Sequence, residues 1–220
     1  MSKLLLDKPT LATIAASTVS HYARSAESFK DGTWNHDVTQ NRGALLGAIE
    51  TPPRHVILDL GCGPGRDLVY FRSLGHEAVG LDACLPFVEM AREASGCEVL
   101  HQSFLELDLP ANRFDGVFAN ASLFHVPTQE LGRVLRALHD AIVPGGVLFC
   151  SNPRGNDTEG IRGDLWCAYH TLETWREHVT APGFVELAHF YRPEGKPRDQ
   201  QPWLATVWRK PSRDPKRSEG

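Results

Sequence analysis

Between Val56 and Asp67 the chain reads Val-Ile-Leu-Asp-Leu-Gly-Cys-Gly-Pro-Gly-Arg-Asp, an apolar run that breaks into three alternate glycines and then resumes with helix-compatible residues. No other stretch constrains the fold so tightly. The run predicts a buried strand over Val56–Leu60, and Gly61, Gly63 and Gly65 predict a turn whose backbone bends sharply and lets a ligand approach closely. A helix starting just after such a turn, here over Arg66–Ser73, offers unpaired N–H groups to that ligand. A nucleotide-like cofactor is the implied occupant. The spacing is Gly-x-Gly-x-Gly, with Asp59 two positions before the first glycine; the dinucleotide fingerprint Gly-x-Gly-x-x-Gly would need glycine where Arg66 stands.

Apolar runs and helical patterns continue to alternate along the chain. Strands are expected at Ala78–Leu81, Glu98–Leu100, Gly116–Ala119 and Val147–Cys150, with helices over Leu85–Ala94 and Gln129–Ile142. Such alternation implies a parallel sheet with helices on both faces. After a helix at Leu172–Val179 the rhythm changes. Phe184–Tyr191 and Trp203–Trp208 are joined by a segment with no room for a crossover helix, which predicts an antiparallel pair. Upstream, a helix over Leu11–Phe29, a loop at Lys30–Asn35 and a helix over Val38–Ile49 end at Thr51-Pro52-Pro53. We therefore expect a helical cap over residues 1–54, a core over 55–210 and a charged, disordered tail over 211–220, all within one compact domain.

The formal net charge of -4 provides no broad basic field, which favours a small-molecule partner over nucleic acid. Five cysteines stand singly with no Cys-x-x-Cys pair, a usage that suits the reducing cytoplasm and gives no metal-site spacing. Leu4-Leu5-Leu6 is interrupted at once by Asp7-Lys8-Pro9, so neither a signal peptide nor a membrane span is expected. A monomer or homodimer is expected.

At the end of the second strand, Gly80-Leu81-Asp82 supplies a carboxylate able to accept from both hydroxyls of a ribose. Enzymes that use NAD do the same, so Asp82 supports a nucleoside without identifying it. Further on, Asn120-Ala121-Ser122-Leu123-Phe124-His125-Val126-Pro127 follows the fourth strand, and Pro144-Gly145-Gly146 precedes the fifth. Taken in order over about Val56 to Asn152, these segments resemble the class I S-adenosylmethionine (SAM) dependent methyltransferases. The resemblance implies an α/β, Rossmann-like fold: a seven-stranded, mostly parallel sheet with the last strand antiparallel, and helices on both faces. It implies SAM as cofactor, released as S-adenosylhomocysteine. It further implies that Asp59, Gly61, Cys62, Gly63 and Gly65 wrap the amino-acid end of the cofactor. Asp82 and Ala83 would meet its ribose, Ser103 and Phe104 its adenine edge, Asn120 its methionine half, and Tyr22 would touch it from the N-terminal segment. Ser103 departs from the acidic residue common there.

The implied chemistry is in-line attack by N, O, S or C of an acceptor on the sulfonium-bound methyl, with the protein aligning the partners and excluding water. Ligands in such sheets bind beyond the carboxyl ends of the strands. There His125 is the first candidate for a base or substrate contact, because an imidazole titrates near neutrality, and His36 is the second. Trp34, Arg154, Tyr191, Arg192, Arg198 and Trp203 are candidates for the acceptor, and two convergent arginines would suit a carboxylate or phosphate on it. His170 faces the same pocket or packs at a helix cap beside Thr171. A nucleic-acid or protein methyltransferase, or a non-catalytic SAM-binding regulator, is the alternative; no Asn/Asp-Pro-Pro-aromatic motif of amino-methylating nucleic-acid enzymes follows the fourth strand.

Overall fold

The computed structural model describes residues 5–212. Its strands are β1 Val56–Leu60, β2 Glu77–Asp82, β3 Glu98–His101, β4 Phe114–Asn120, β5 Ile142–Pro153, β6 Thr158–Arg162, β7 Leu165–Tyr169, β8 Val185–Arg192 and β9 Trp203–Arg209. Seven of them form one sheet in the order β3-β2-β1-β4-β5-β9-β8. Because β9 runs antiparallel to both β5 and β8, six strands share a direction and the last in the chain is reversed. Successive side chains of a strand face opposite ways. Ile57, Phe118 and Phe149 therefore meet α3 (Thr39–Ala48), α4 (Arg66–Ser73) and α5 (Leu85–Ser95). Leu58, Val117 and Leu148 meet α6 (Thr128–Ala141) and α7 (Leu172–Thr180) on the other side. Cover on both faces explains why these strands read as continuous apolar runs.

Local sequence sets the helices. In α6, Leu131, Val134, Leu135, Leu138 and Ala141 recur at helical spacing and are all buried, leaving the polar face to solvent. The N-terminal region differs from the expectation of one helix to Phe29 followed by a loop. It holds α1 (Lys8–Arg24), capped by Asp7 accepting from the Thr10 amide at 2.9 Å, and α2 (Ala26–Thr33). Ser25 leaves the helical region, with φ -119° and ψ 16°, and its amide turns back to the Tyr22 carbonyl. This bend brings the Tyr22 and Phe29 rings to 5.5 Å and sets both against Phe87 of α5. By contrast α3 lies within the sheet's own helical layer, where Leu45 is fully buried.

One element was not anticipated. β6 and β7 form a separate hairpin in which Arg162 pairs with Leu165 across Gly163-Asp164. Gly-Asp between two short strands is a legible two-residue turn signal. The hairpin docks on α1: Ser17 Oγ donates to the Asp164 carbonyl at 2.9 Å, and Arg24 Nη2 to the Asp164 carboxylate at 2.6 Å. The expected disorder of the tail falls, for residues 213–220, outside the described residues. Among the described residues no helix is long and apolar enough to cross a membrane.

Candidate functional site

Where the sheet order reverses, the carboxyl ends of β1 and β4 open into a cavity of about 830 Å³. Its floor is the glycine turn. The amides of Gly61 and Cys62 both donate to the Leu81 carbonyl, at 2.8 and 3.1 Å, folding the turn onto the end of β2. Gly61 has φ +78°, and a Cβ there would lie 2.6 Å from the Ser122 Cβ, so this position requires glycine. Gly65 does not line the cavity; it packs on Ala91, where an added Cβ would stand 2.7 Å from the Ala91 Cα, and so lets α4 lie against α5.

Asp82 holds the rim. Its Oδ2 accepts from the Gly63 amide at 3.0 Å and its Oδ1 from the Cys84 amide at 2.9 Å. Burial raises its carboxyl above the usual range while these amides oppose the rise, and each oxygen keeps lone-pair capacity for a ligand hydroxyl. Asp59 is buried to 2% exposure, and its Oδ2 has no hydrogen-bond partner. Burial first, and then the neighbouring Asp67, push its carboxyl well above the ordinary carboxylate range, against Arg66 and Arg42. Those two guanidinium groups are engaged by Asp67 itself, at 2.7 and 2.6 Å. A buried acceptor without a partner, facing a cavity, demands a donor.

The ammonium of an amino acid would be such a donor. Asp82 would take a ribose diol, and Phe104 beside Ser103 offers an apolar wall for a base. Ser103 Oγ accepts from the Leu105 amide at 3.2 Å and retains its own proton. This set of groups fits SAM. Asn120, at the end of β4, accepts from Asn41 Nδ2 of α3 at 2.8 Å.

Facing this floor, Tyr22 and His125 make the most specific polar contact of the cavity. His125 Nδ1 lies 2.7 Å from the Trp166 carbonyl of β7. A carbonyl only accepts, so Nδ1 carries the proton and Nε2 is left to accept from the Tyr22 hydroxyl at 2.8 Å. Burial lowers the His125 imidazole below its ordinary value, the Trp166 bond opposing, and burial pushes the Tyr22 phenol up to about 12. Both are neutral at neutral pH.

His36, Cys62, Ala83, Arg192 and Trp203 also line the cavity. Trp34, Arg154, Tyr191 and Arg198 do not. Trp34 lies beyond the end of α2 with the Lys30 ammonium 5.8 Å over its ring. Arg198 and Arg154 sit 3.2 and 5.8 Å from the Tyr191 ring centre, so the two arginines meet on that ring instead of in the cavity. Strand parity is the reason: Tyr191 and Arg192 are neighbours on β8 and face opposite ways, so only Arg192 turns inward. His170 also lies outside, stacked on Trp175 at 6.1 Å. Sequence reasoning passed over Ile14, Thr18 and Val19 of α1, Asn41, Arg66 and Ser122. Ile14, Thr18 and Tyr22 recur every fourth residue on one helix face, and that spacing was the signal available.

Residues 57–146 match the model of a family described as a methyltransferase domain. A malonyl-[acyl-carrier protein] O-methyltransferase of Pseudescherichia vulneris is 30% identical over 130 residues, 58% of this chain and 49% of that protein. A probable tRNA methyltransferase 9B of Bos taurus is 35% identical over 101 residues, 46% of this chain and 22% of that protein. The chain thus spans half or less of the length of these curated relatives. Among solved structures, the Burkholderia thailandensis 1,6-didemethyltoxoflavin-N1-methyltransferase, with 1,6-didemethyltoxoflavin and S-adenosylhomocysteine bound, aligns with a TM-score of 0.75 at 22% identity, covering 96% of this chain and 94% of that one. That likeness is one of fold. In this chain the matched segment carries the glycine turn at the switch point and the acidic residue closing β2, within a mostly parallel sheet that has one reversed strand. Residues 57–146 thus carry the sequence pattern of a methyltransferase domain, inside a fold that the whole chain shares with a solved methyltransferase.

Proposed function

We propose that the protein binds SAM between the Gly61–Gly63 turn and Asp82 and transfers its methyl to a small-molecule acceptor held beneath α1. One observation carries this reading: a single cavity runs from Asp59 and Asp82 to Ile14, Thr18 and Val19 on α1. At about 830 Å³ it lies within the roughly 300–1,000 Å³ typical of small-ligand sites. The acceptors named for the relatives differ widely, so the acceptor class follows from this chain's own chamber. Nucleic acid would want an open basic groove, whereas Arg66 and Arg24 near this site are paired with Asp67 and Asp164.

SAM, when bound, supplies an electrophilic methyl on a positively charged sulfur. The chain's residues do the rest. Asp59 anchors the amino-acid end, Asp82 and Ala83 the ribose, and Ser103 and Phe104 the base, while the glycine turn permits close approach. Asn120 is steadied for its contact by Asn41. The cover is α1 and α2, backed by the β6–β7 hairpin docked on α1, and it excludes water and holds the acceptor in line. Positioning of that kind is worth about 7 to 11 kcal/mol of barrier in favourable cases. Arg192 donates to the Asp37 carbonyl at 2.8 Å, and its charge feels the Asp37 carboxylate and, against it, Arg66. Its charge suits a carboxylate on the acceptor, with His36 and Trp203 beside it. The five free cysteines suit a reducing cytoplasm.

The test is calorimetry with S-adenosylhomocysteine, followed by a labelled-methyl screen over phenols, amines, thiols, carboxylated metabolites and a tRNA transcript. Turnover of a small acceptor is expected. Turnover of the transcript alone would replace this reading with a nucleic-acid enzyme, binding without any turnover would point to a regulator, and heat with a nicotinamide coenzyme instead would sink the cofactor assignment.

A further inference from the structure

We infer that the methylated atom belongs to a protic group, an O–H or N–H on an otherwise apolar body, and that its proton leaves through Tyr22 to His125. The inference rests on the methyl-transfer reading above and adds the acceptor's chemistry to it. Beyond the cofactor half, the chamber is walled by Ile14, Ala15, Val19, Val126 and Pro127, which receive an apolar body. Tyr22 lines the same chamber, its ring held edge-on to Phe29 at 5.5 Å and against Phe87 at 5.8 Å. Its hydroxyl proton is already given to His125 Nε2 at 2.8 Å. Toward the cavity the phenol oxygen can therefore only accept, and the partner it lacks is an external donor.

His125 is set to receive what Tyr22 passes on. Its Nδ1–H is tied to the Trp166 carbonyl, a bond that fixes the tautomer and strengthens when the ring becomes charged. As the acceptor's lone pair forms its bond to the methyl carbon, the carbon–sulfur bond breaks with its electron pair going to sulfur. The acceptor's proton moves to the Tyr22 oxygen and the Tyr22 proton to His125 Nε2. The imidazolium returns that proton to solvent by the same route once product leaves. The titratable groups facing this pair are His21 on α1, Cys167 and Tyr169 on β7, and Asp82 at the end of β2. Tyr22, which would touch the acceptor, is the catalytic member; His125 acts through it.

Two measurements test this. Nitrogen NMR on isotope-labelled histidine in the S-adenosylhomocysteine complex should show His125 as the Nδ1–H tautomer, in wild type and in Tyr22→Phe alike; the Nε2–H tautomer would overturn the relay irrespective of turnover. Methyl transfer to phenols of graded acidity, from para-nitrophenol to para-cresol, should then be compared across wild type, Tyr22→Phe and His125→Gln. Each variant should lower kcat on para-cresol about 10² to 10⁴-fold with KM little changed. The loss should shrink toward para-nitrophenol, and the limb of the pH profile set by His125 should vanish in His125→Gln. Equal losses along the series, no loss, or a wild type that binds S-adenosylhomocysteine yet methylates neither these phenols nor the matching anilines would overturn it. Failure of wild type to bind S-adenosylhomocysteine would instead sink the methyl-transfer reading itself.

Discussion

In the proposed division of the cavity, the cofactor half is held by bonds between neighbouring strands: Gly61 and Cys62 to Leu81, Gly63 to Asp82. The acceptor half is held across the chain: Tyr22 to His125, His125 to Trp166, Ser17 and Arg24 to Asp164. In the first, parallel pairing of β1 with β2 in the core brings the groups together before any ligand arrives. In the second, three segments dock through a few contacts that are partly exposed, and such regions open at lower free-energy cost. The contrast suits a site whose cofactor face is rigid and whose acceptor face must admit substrate and release product.

Substitutions can break this contrast, and the most damaging should be Gly61→Val. It forces a left-handed φ on a branched residue and drives its Cβ into Ser122. Strain and overpacking of this kind cost about 2 to 4 kcal/mol, read by urea unfolding, with S-adenosylhomocysteine heat lost as well. If stability fell while that heat remained, the turn would not be the cofactor's seat.

Next comes Asp82→Ala, which strands the Gly63 and Cys84 amides and removes the proposed ribose contact. Hydrogen bonds to a charged group contribute about 1.5 to 3 kcal/mol, so S-adenosylhomocysteine affinity should fall about 10- to 100-fold in calorimetry. The His125 tautomer should stay as it is.

Asp59→Asn separates binding from stability. The wild-type carboxyl titrates higher in the folded state than in the unfolded one, so the folded state binds more protons between the two values. Wild-type stability from this group is therefore full below the unfolded value of about 4 and is lost as pH rises toward the folded one. Asn cannot titrate. The variant should be the more stable at neutral pH, lose that advantage in acid, and bind S-adenosylhomocysteine about tenfold more weakly. Matched urea titrations at both pH values check the sign.

The smallest effect is expected from Arg24→Ala. Its pair with Asp164 is exposed on both sides and contributes about 0 to 1 kcal/mol, largely screened by salt. Acceptor KM should move more than thermal stability, because this pair ties the hairpin to α1. A change confined to S-adenosylhomocysteine affinity would contradict the division into two halves.

How far each half could be read in advance follows the same line. Strand β1, the turn and α4 were legible because hydrophobic period and glycine spacing act within a dozen residues. Asp82 was legible because the motif spacing marks the end of the next strand. The acceptor half was legible only as a set of candidates. Arg154, Arg192 and Arg198 look alike in sequence, and the choice among them fell to the parity of β8 and to Tyr191 drawing two of them aside. Trp34 was misplaced because Ser25 bends the helix and α2 runs on to Thr33. The β6–β7 hairpin went unread although Gly163-Asp164 carried its turn signal.

Local chemistry in the sequence thus settled the sheet, the glycine turn and the place of Asp82 at the end of β2, since each depends on residues close along the chain or on adjacent strands. Only the tertiary structure joined Tyr22 to His125 and His125 to the Trp166 carbonyl. No spacing rule encodes a hydrogen bond between residues on separately docked segments, because whether the two atoms come within reach depends on how every intervening element packs.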